Sequence, residues 1–182
     1  MCYEMTRILE VSLQSMNRNK IAIVGISGSG KSVFGRELAK KTGLPLFHMD
    51  QFFWKGKWEE VPEEEYLTSH QELLKNDRWI IEGFVDVKMD NRVKTADLVL
   101  YLDYSGILCA WRVFRRWLKY RKESRPELPE EALERFSFKF LWRILTRKER
   151  ENIEDALRGV DKSHVTRFRS PKELERFMEK MK

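Results

Sequence analysis

Apolar residues follow two rhythms along this chain, and their alternation sets the expectation for the fold. Short continuous runs stand at 21–24 (IAIV), 46–49 (LFHM), 78–82 (RWIIE), 98–103 (LVLYLD) and 164–168 (HVTRF). Runs of that length and density suit strands buried on both faces, as in a parallel sheet. Between them the spacing turns helical: Val33, Phe34, Leu38 and Ala39 share one side of a segment over 31–41. Further helices are predicted over about 63–75, 105–122, 131–158 and 172–181. Punctuation agrees. Thr42-Gly43 stops the first helix, Pro62 opens the second with Glu63, Glu64 and Glu65 at its positive end, and Ser170-Pro171 caps the last. Pro126 and Pro129 must break the long basic helix. The stretch 51–62, with Phe52, Phe53, Trp54, Gly56 and Trp58, reads as an aromatic loop.

Strands alternating with helices predict an α/β domain, a parallel sheet of five strands covered on both faces. Ligands then gather beyond the carboxyl ends of the strands. Three features fall at such ends: a glycine loop at 25–30, Asp50, and Glu82-Gly83.

The glycine loop carries the most specific chemistry. Residues 25–32 read GISGSGKS, a complete G-x-x-x-x-G-K-[ST], preceded by a strand-like run and followed by a helix-like one. That order turns main-chain N–H groups and a helix N-terminus toward a phosphate chain. Gly25, Gly28 and Gly30 let the main chain bend around the anion, and Ser27, Ser29 and Val33 complete the expected nucleotide-binding set. Lys31 is placed to reach the terminal phosphates and the Ser32 hydroxyl to ligate Mg²⁺. A nucleoside triphosphate is the expected ligand.

Composition adds limits. The 182 residues suffice for one domain with a proper core, and 42% hydrophobic against 35% charged residues is the balance of a soluble globular protein. No apolar stretch approaches the ~20 residues that cross a bilayer, so no membrane partner is expected. The first residues lack the pattern of a secretory signal. Cys2 and Cys109 form no metal spacing, and Cys109 reads as a buried thiol in a helix; His48, His70 and His164 are scattered and make no ligand cluster. A reducing cytoplasm is the default location. The net charge of +6 is concentrated: residues 105–150 hold 13 Lys and Arg against 6 Asp and Glu, and the rest of the chain 22 against 23. Such asymmetry suits a polyphosphate clamp or nucleic acid.

With these pieces in order, the chain from Ile21 onward resembles the small P-loop kinases of the adenylate kinase superfamily. More narrowly it resembles the adenylate-kinase-related DNA topology modulation proteins. The matching segments are GISGSGKS, HMDQFFW, WIIEG, ADLVLYLD, WRVFRR and RFRSPKELERF, and HMDQFFW and IIEGF are also similar to acceptor-side motifs of uridine kinase and nicotinamide riboside kinase relatives. The resemblance implies a three-layer P-loop NTPase fold with a short helical lid. It divides the chain into an N-terminal extension (1–19) and a P-loop kinase-like domain (20–182) with the lid at about 117–150. Residues 1–15 have no obvious place in a loop-led domain, and Met16 looks like a natural start.

The resemblance also implies roles. Asp50 would take the acceptor's proton or bind a magnesium water; a loop-bracing Asp is the plain alternative. Glu82 would hold a magnesium water or a substrate hydroxyl, and otherwise is a buried structural carboxylate. Phe53, Trp54, Glu82 and Gly83 join Asp50 around the acceptor. Arg112, nine positions beyond Asp103, would lie over adenine, and Arg116 would touch the transferred phosphate, where a guanidinium neutralises developing charge. Asp103 is expected to hold the loop that follows it. Arg143, Arg147 and Arg150 would share one helical face of the lid, with Arg147 catalytic; a solvated basic face is the alternative. Trp111, Trp117 and Trp142 read as core or lid packing. The implied function is a kinase using ATP and Mg²⁺ on a small hydroxyl- or phosphate-bearing acceptor, such as a nucleoside or nucleotide, as a monomer or homodimer. An ATPase or ATP-binding protein acting on DNA is the alternative; no nucleic-acid reading module accompanies it.

Overall fold

The computed structural model describes residues 18–55, 58–85, 91–121 and 137–181. The first 17 residues, Gly56, Pro126 and Pro129, and the middle of the expected lid lie outside the described residues. Lys20–Gly25 (β1) is buried from Ile21 onward and forms the centre of a five-stranded sheet. Trp79–Glu82 (β5) and Leu98–Leu102 (β6) flank it, and Leu46–His48 (β2) and Val165–Phe168 (β7) are the edges, in the order β2–β5–β1–β6–β7. Every pairing in this sheet is parallel, with Ile21 opposite both Ile80 and Leu98. Each residue of β5 and β6 is buried, so the continuous apolar runs follow directly from burial on two faces.

Helices flank the sheet, as the α/β expectation required: α1 (Lys31–Thr42), α2 (Met49–Phe53), α3 (Glu63–Lys75), α4 (Arg92–Thr95), α5 (Gly106–Tyr120), α6 (Phe138–Leu145), α7 (Glu149–Leu157) and α8 (Pro171–Lys180). The caps follow the sequence signals. Gly43 (φ 67°) ends α1 with its N–H on Ala39 O, and Ser170 caps α8 ahead of Pro171. Phe34, Phe168 and Phe177 meet edge to face with centroids 5.2–6.5 Å apart, locking α1, β7 and α8 together. No described helix is long and apolar enough to cross a membrane.

Three expectations change. The second strand ends at His48, and the expected loop is ordered as α2 and a short hairpin, β3 (Trp54–Lys55) with β4 (Glu59–Glu60). The aromatics cause this. Phe53 packs edge-on against both Trp54 and Tyr66 of α3, giving the segment a small core of its own. The single helix expected over 131–158 is two, α6 and α7, separated by a turn in which Arg147 has φ 55°. Arg143, Arg147 and Arg150 therefore do not share one helical face. Finally, Trp111 and Trp142 are mostly exposed rather than core residues.

Candidate nucleotide and acceptor site

The glycine loop joins β1 to α1 at the carboxyl edge of the sheet, beside the point where the chain order departs to β5 on one side and β6 on the other. Its curvature depends on glycine. Gly28 has φ 84°, and a Cβ there would come within 2.4 Å of the Cys109 carbonyl oxygen in α5. Cys109 itself is fully buried, and burial pushes its thiol up to about 11, so it is a packing group. Ser29 is 1% exposed, and its N–H donates to Ile26 O at 3.1 Å, so it braces the loop from within. The N–H groups that open α1 have no partner within their own helix and belong to residues that line a cleft. Lys31 lies along the loop, with Nζ donating to Gly25 O at 2.8 Å and Ile26 O at 3.2 Å.

Ser32, one residue on, hydrogen-bonds the Glu82 carboxylate, whose Oε1 lies 2.5 Å from His48 Nδ1. Burial alone would push the Glu82 carboxyl up. The His48 hydrogen bond, the Lys31 charge and the Ser32 hydroxyl outweigh it and hold the group below its ordinary range. His48, scattered in sequence, is thus part of this cluster: β2 and β5 are in register at His48 and Glu82. Gly83 follows with φ 146°, and a Cβ there would sit 2.7 Å from Met49 Cβ. The buried Arg92 of α4 donates to the carbonyls of Gly83 and Phe84 and so fixes the turn.

A cleft of about 1300 Å³ connects these groups. Ser27 to Val33 form its floor, and Asp50, Phe53, Trp54 and Glu82 line one side together with Trp58, Glu60, Tyr66 and Phe84. Asp50 sits in the first turn of α2 rather than on the strand end. Trp54 and Trp58 meet at 5.3 Å, and Trp58 is held at φ 65°, a conformation unusual for so large a side chain. On the other side stand Arg112, Arg115, Arg116, Lys119 and Arg143. Arg112 donates to Ser29 O at 2.9 Å and lies over the Tyr104 ring at 5.5 Å. Burial pushes the Tyr104 phenol up to about 12 against the pull of that guanidinium, so it stays neutral.

Arg147 and Arg150 are placed elsewhere. Both pair with Asp103, joined by Arg167, and Glu154 bridges Arg150 and Arg167 at 3.2 and 2.8 Å. In this arrangement Asp103 fastens the start of α7 to β7. The basic block is thereby divided: α5 and Arg143 supply the cleft, Arg147 and Arg150 the clasp.

Several contributors were missed in the sequence. Leu174, Glu175, Met178 and Glu179 make α8 a wall of the cleft next to Val33 and Glu37; an amphipathic terminal helix gives no hint of that. Glu149 reaches the phosphate loop, its Oε2 accepting the Ser27 N–H at 2.7 Å and its Oε1 the Ser27 hydroxyl at 3.1 Å. The signal available was its isolation, one acid among five bases between Ser137 and Arg150.

No protein-family model matches the chain. It is 36% identical over 90 residues to the uncharacterized protein YqaC of Bacillus subtilis, a match covering 47% of this chain and 49% of that protein. It is 39% identical over 46 residues to a shikimate kinase of Bartonella quintana, covering 25% and 22%. The matched stretches thus span about half the length of the first curated relative and under a quarter of the second. Among solved structures, the shikimate kinase of Acinetobacter baumannii, in complex with shikimate, superposes with a TM-score of 0.53 at 17% identity over 92% of this chain and 93% of that one. A gluconokinase of Sinorhizobium meliloti 1021 gives 0.51 at 14% identity over 90% and 91%. The chain therefore has the α/β fold of the P-loop kinases, a five-stranded parallel sheet flanked by helices.

Proposed function

We propose that this chain is a phosphotransferase that moves the γ-phosphate of ATP to a hydroxyl of a small acceptor. One observation carries the reading: the GISGSGKS loop, the Ser32–Glu82 pair and Asp50 open into the same cleft, with four cationic side chains of α5 on its far wall. The loop amides and Lys31 would hold the β- and γ-phosphates. Arg116 would neutralise charge at the γ oxygens of the transferred group, and Arg112 would lie over the base. Val33, with Leu174 and Met178 of α8, would offer an apolar slot for adenine. On the opposite side Asp50 would accept the acceptor's proton, with Phe53, Trp54 and Gly83 shaping its pocket. Ser32 and Glu82 present two oxygen donors side by side, the chemistry that Mg²⁺ takes, and would hold it directly or through water. When bound, Mg²⁺ would screen the phosphate oxygens.

The narrower likeness to DNA topology modulation proteins, and with it a duplex-directed ATPase, draws on the same positive charge. Among the described residues, Arg112, Arg115, Arg116, Lys119 and Arg143 of the basic block line the cleft and Arg147 and Arg150 are paired with Asp103, which favours the kinase reading. The test is a panel of nucleosides, nucleotides and sugars assayed for acceptor-stimulated ADP release with Mg-ATP. One compound should raise turnover well above background, and Asp50→Asn should reduce that turnover by about 10²–10⁴-fold. Stimulation by duplex DNA alone, with none by any small acceptor, would reverse the choice.

A further inference from the structure

The Glu149 carboxylate, 4% exposed in the first turn of α7, ends on the phosphate loop rather than in solvent. Its oxygens meet one main-chain amide and one hydroxyl, both of Ser27, and the Arg143 guanidinium, whose Nη2 is 3.2 Å from Oε1. An amide, a hydroxyl and a guanidinium are the donors that a phosphate oxygen seeks. The carboxylate is also carried by a turn with anchors of its own. Arg147 before it and Arg150 after it are both fastened to Asp103. A buried carboxylate facing a loop built for anions is out of place unless it stands where an anion belongs.

We infer that Glu149 occupies the place of a nucleotide phosphate oxygen on Ser27 and must leave for that phosphate to bind, so that it sets how strongly the cleft favours phosphate-bearing ligands. The inference rests on the nucleotide-binding reading above. Two anions cannot share the Ser27 N–H, and their repulsion in a partly dry cleft is larger than in water. When Glu149 withdraws, Arg143 loses its partner and already stands on the cleft wall, ready for the incoming charge. Exchange of one anion for another thus couples nucleotide arrival to movement of α7. A ligand without phosphate gains nothing from the exchange.

Calorimetry on the full chain with Mg-ATP and with adenosine tests this. Glu149→Gln keeps the shape and removes the charge; Glu149→Asp keeps the charge and withdraws it by one methylene. Both should bind Mg-ATP about tenfold more tightly than the parent, the gain expected if Glu149 holds the amide in roughly nine molecules of ten. Adenosine affinity should stay within about twofold. Equal or weaker Mg-ATP binding by folded variants, checked by their unliganded melting curves, overturns the inference while leaving the nucleotide site intact. Absence of Mg-ATP binding by the parent and by both variants would sink the nucleotide reading itself. Should both variants fail to fold, hydrogen exchange on the parent decides: amides of 149–157 should lose protection when Mg-ATP is added, and unchanged protection overturns the proposal.

Discussion

On the side of the cleft proposed to hold phosphate, the candidate groups come from eight consecutive residues, and most are main-chain amides. On the side proposed for the acceptor, Asp50, Trp54, Tyr66 and Glu82 come from α2, the β3–β4 hairpin, α3 and β5, and all of them would act through side chains. The first half is a local device. Its geometry is set by glycine conformations and by a helix that begins where the loop ends, so it can be written as a short motif. The second half exists only once β2 and β5 are in register and the aromatic cluster has folded over them. A reaction class can be encoded in one turn, whereas the acceptor is chosen by a surface assembled from several elements.

Variants on the two sides should therefore fail differently. The largest effect belongs to the loop: Lys31→Ala should cut acceptor-dependent ADP release by about 10²–10³-fold with little change in melting temperature. Wild-type turnover in that folded variant would remove the loop from the chemistry. Next comes the clasp around Asp103. Asp103→Ala leaves three guanidinium groups around an empty, nearly buried position, and denaturant unfolding should show a loss of about 3–5 kcal/mol. Arg147→Ala should share this phenotype, losing stability more than the rate measured at low temperature. A drop of ~10³-fold or more with unchanged stability would return Arg147 to the transferred phosphate.

A smaller, more selective change is expected on the acceptor side. Trp54→Ala should raise KM for the compound found by the acceptor screen by roughly tenfold, the cost of losing one stacking ring, with KM for ATP unchanged. An equal rise in both would mean the ring supports the whole cleft. The smallest effect is on pH dependence. Burial works against the Glu82 carboxylate, but His48, Lys31 and Ser32 lower its pKa from 4.5. The stability it adds is present in full above that value and is lost as pH falls through the lowered folded-state value. Glu82→Gln should flatten the curve of unfolding free energy against pH below about 4.5. An unaltered acid limb would mean that the carboxyl ionises no more easily in the folded protein than in the unfolded one.

Local sequence sufficed for the fold class, the five strands and the glycine loop. Each rests on short-range physics: apolar runs for strands buried on two faces, glycine where the main chain must take φ of 84° or 97°, and a cap where a helix must end. Distance along the chain hid the rest. His48 and Glu82 stand 34 residues apart, yet parallel pairing sets them side by side. Ser27 and Glu149 are 122 apart, and the isolation of Glu149 among bases does not say which group it meets. Arg143, Arg147 and Arg150 look equivalent in sequence because helical spacing treats them alike. The turn at Arg147 and the carboxylate of Asp103 separated them, since a charge goes to the partner that tertiary packing brings within reach.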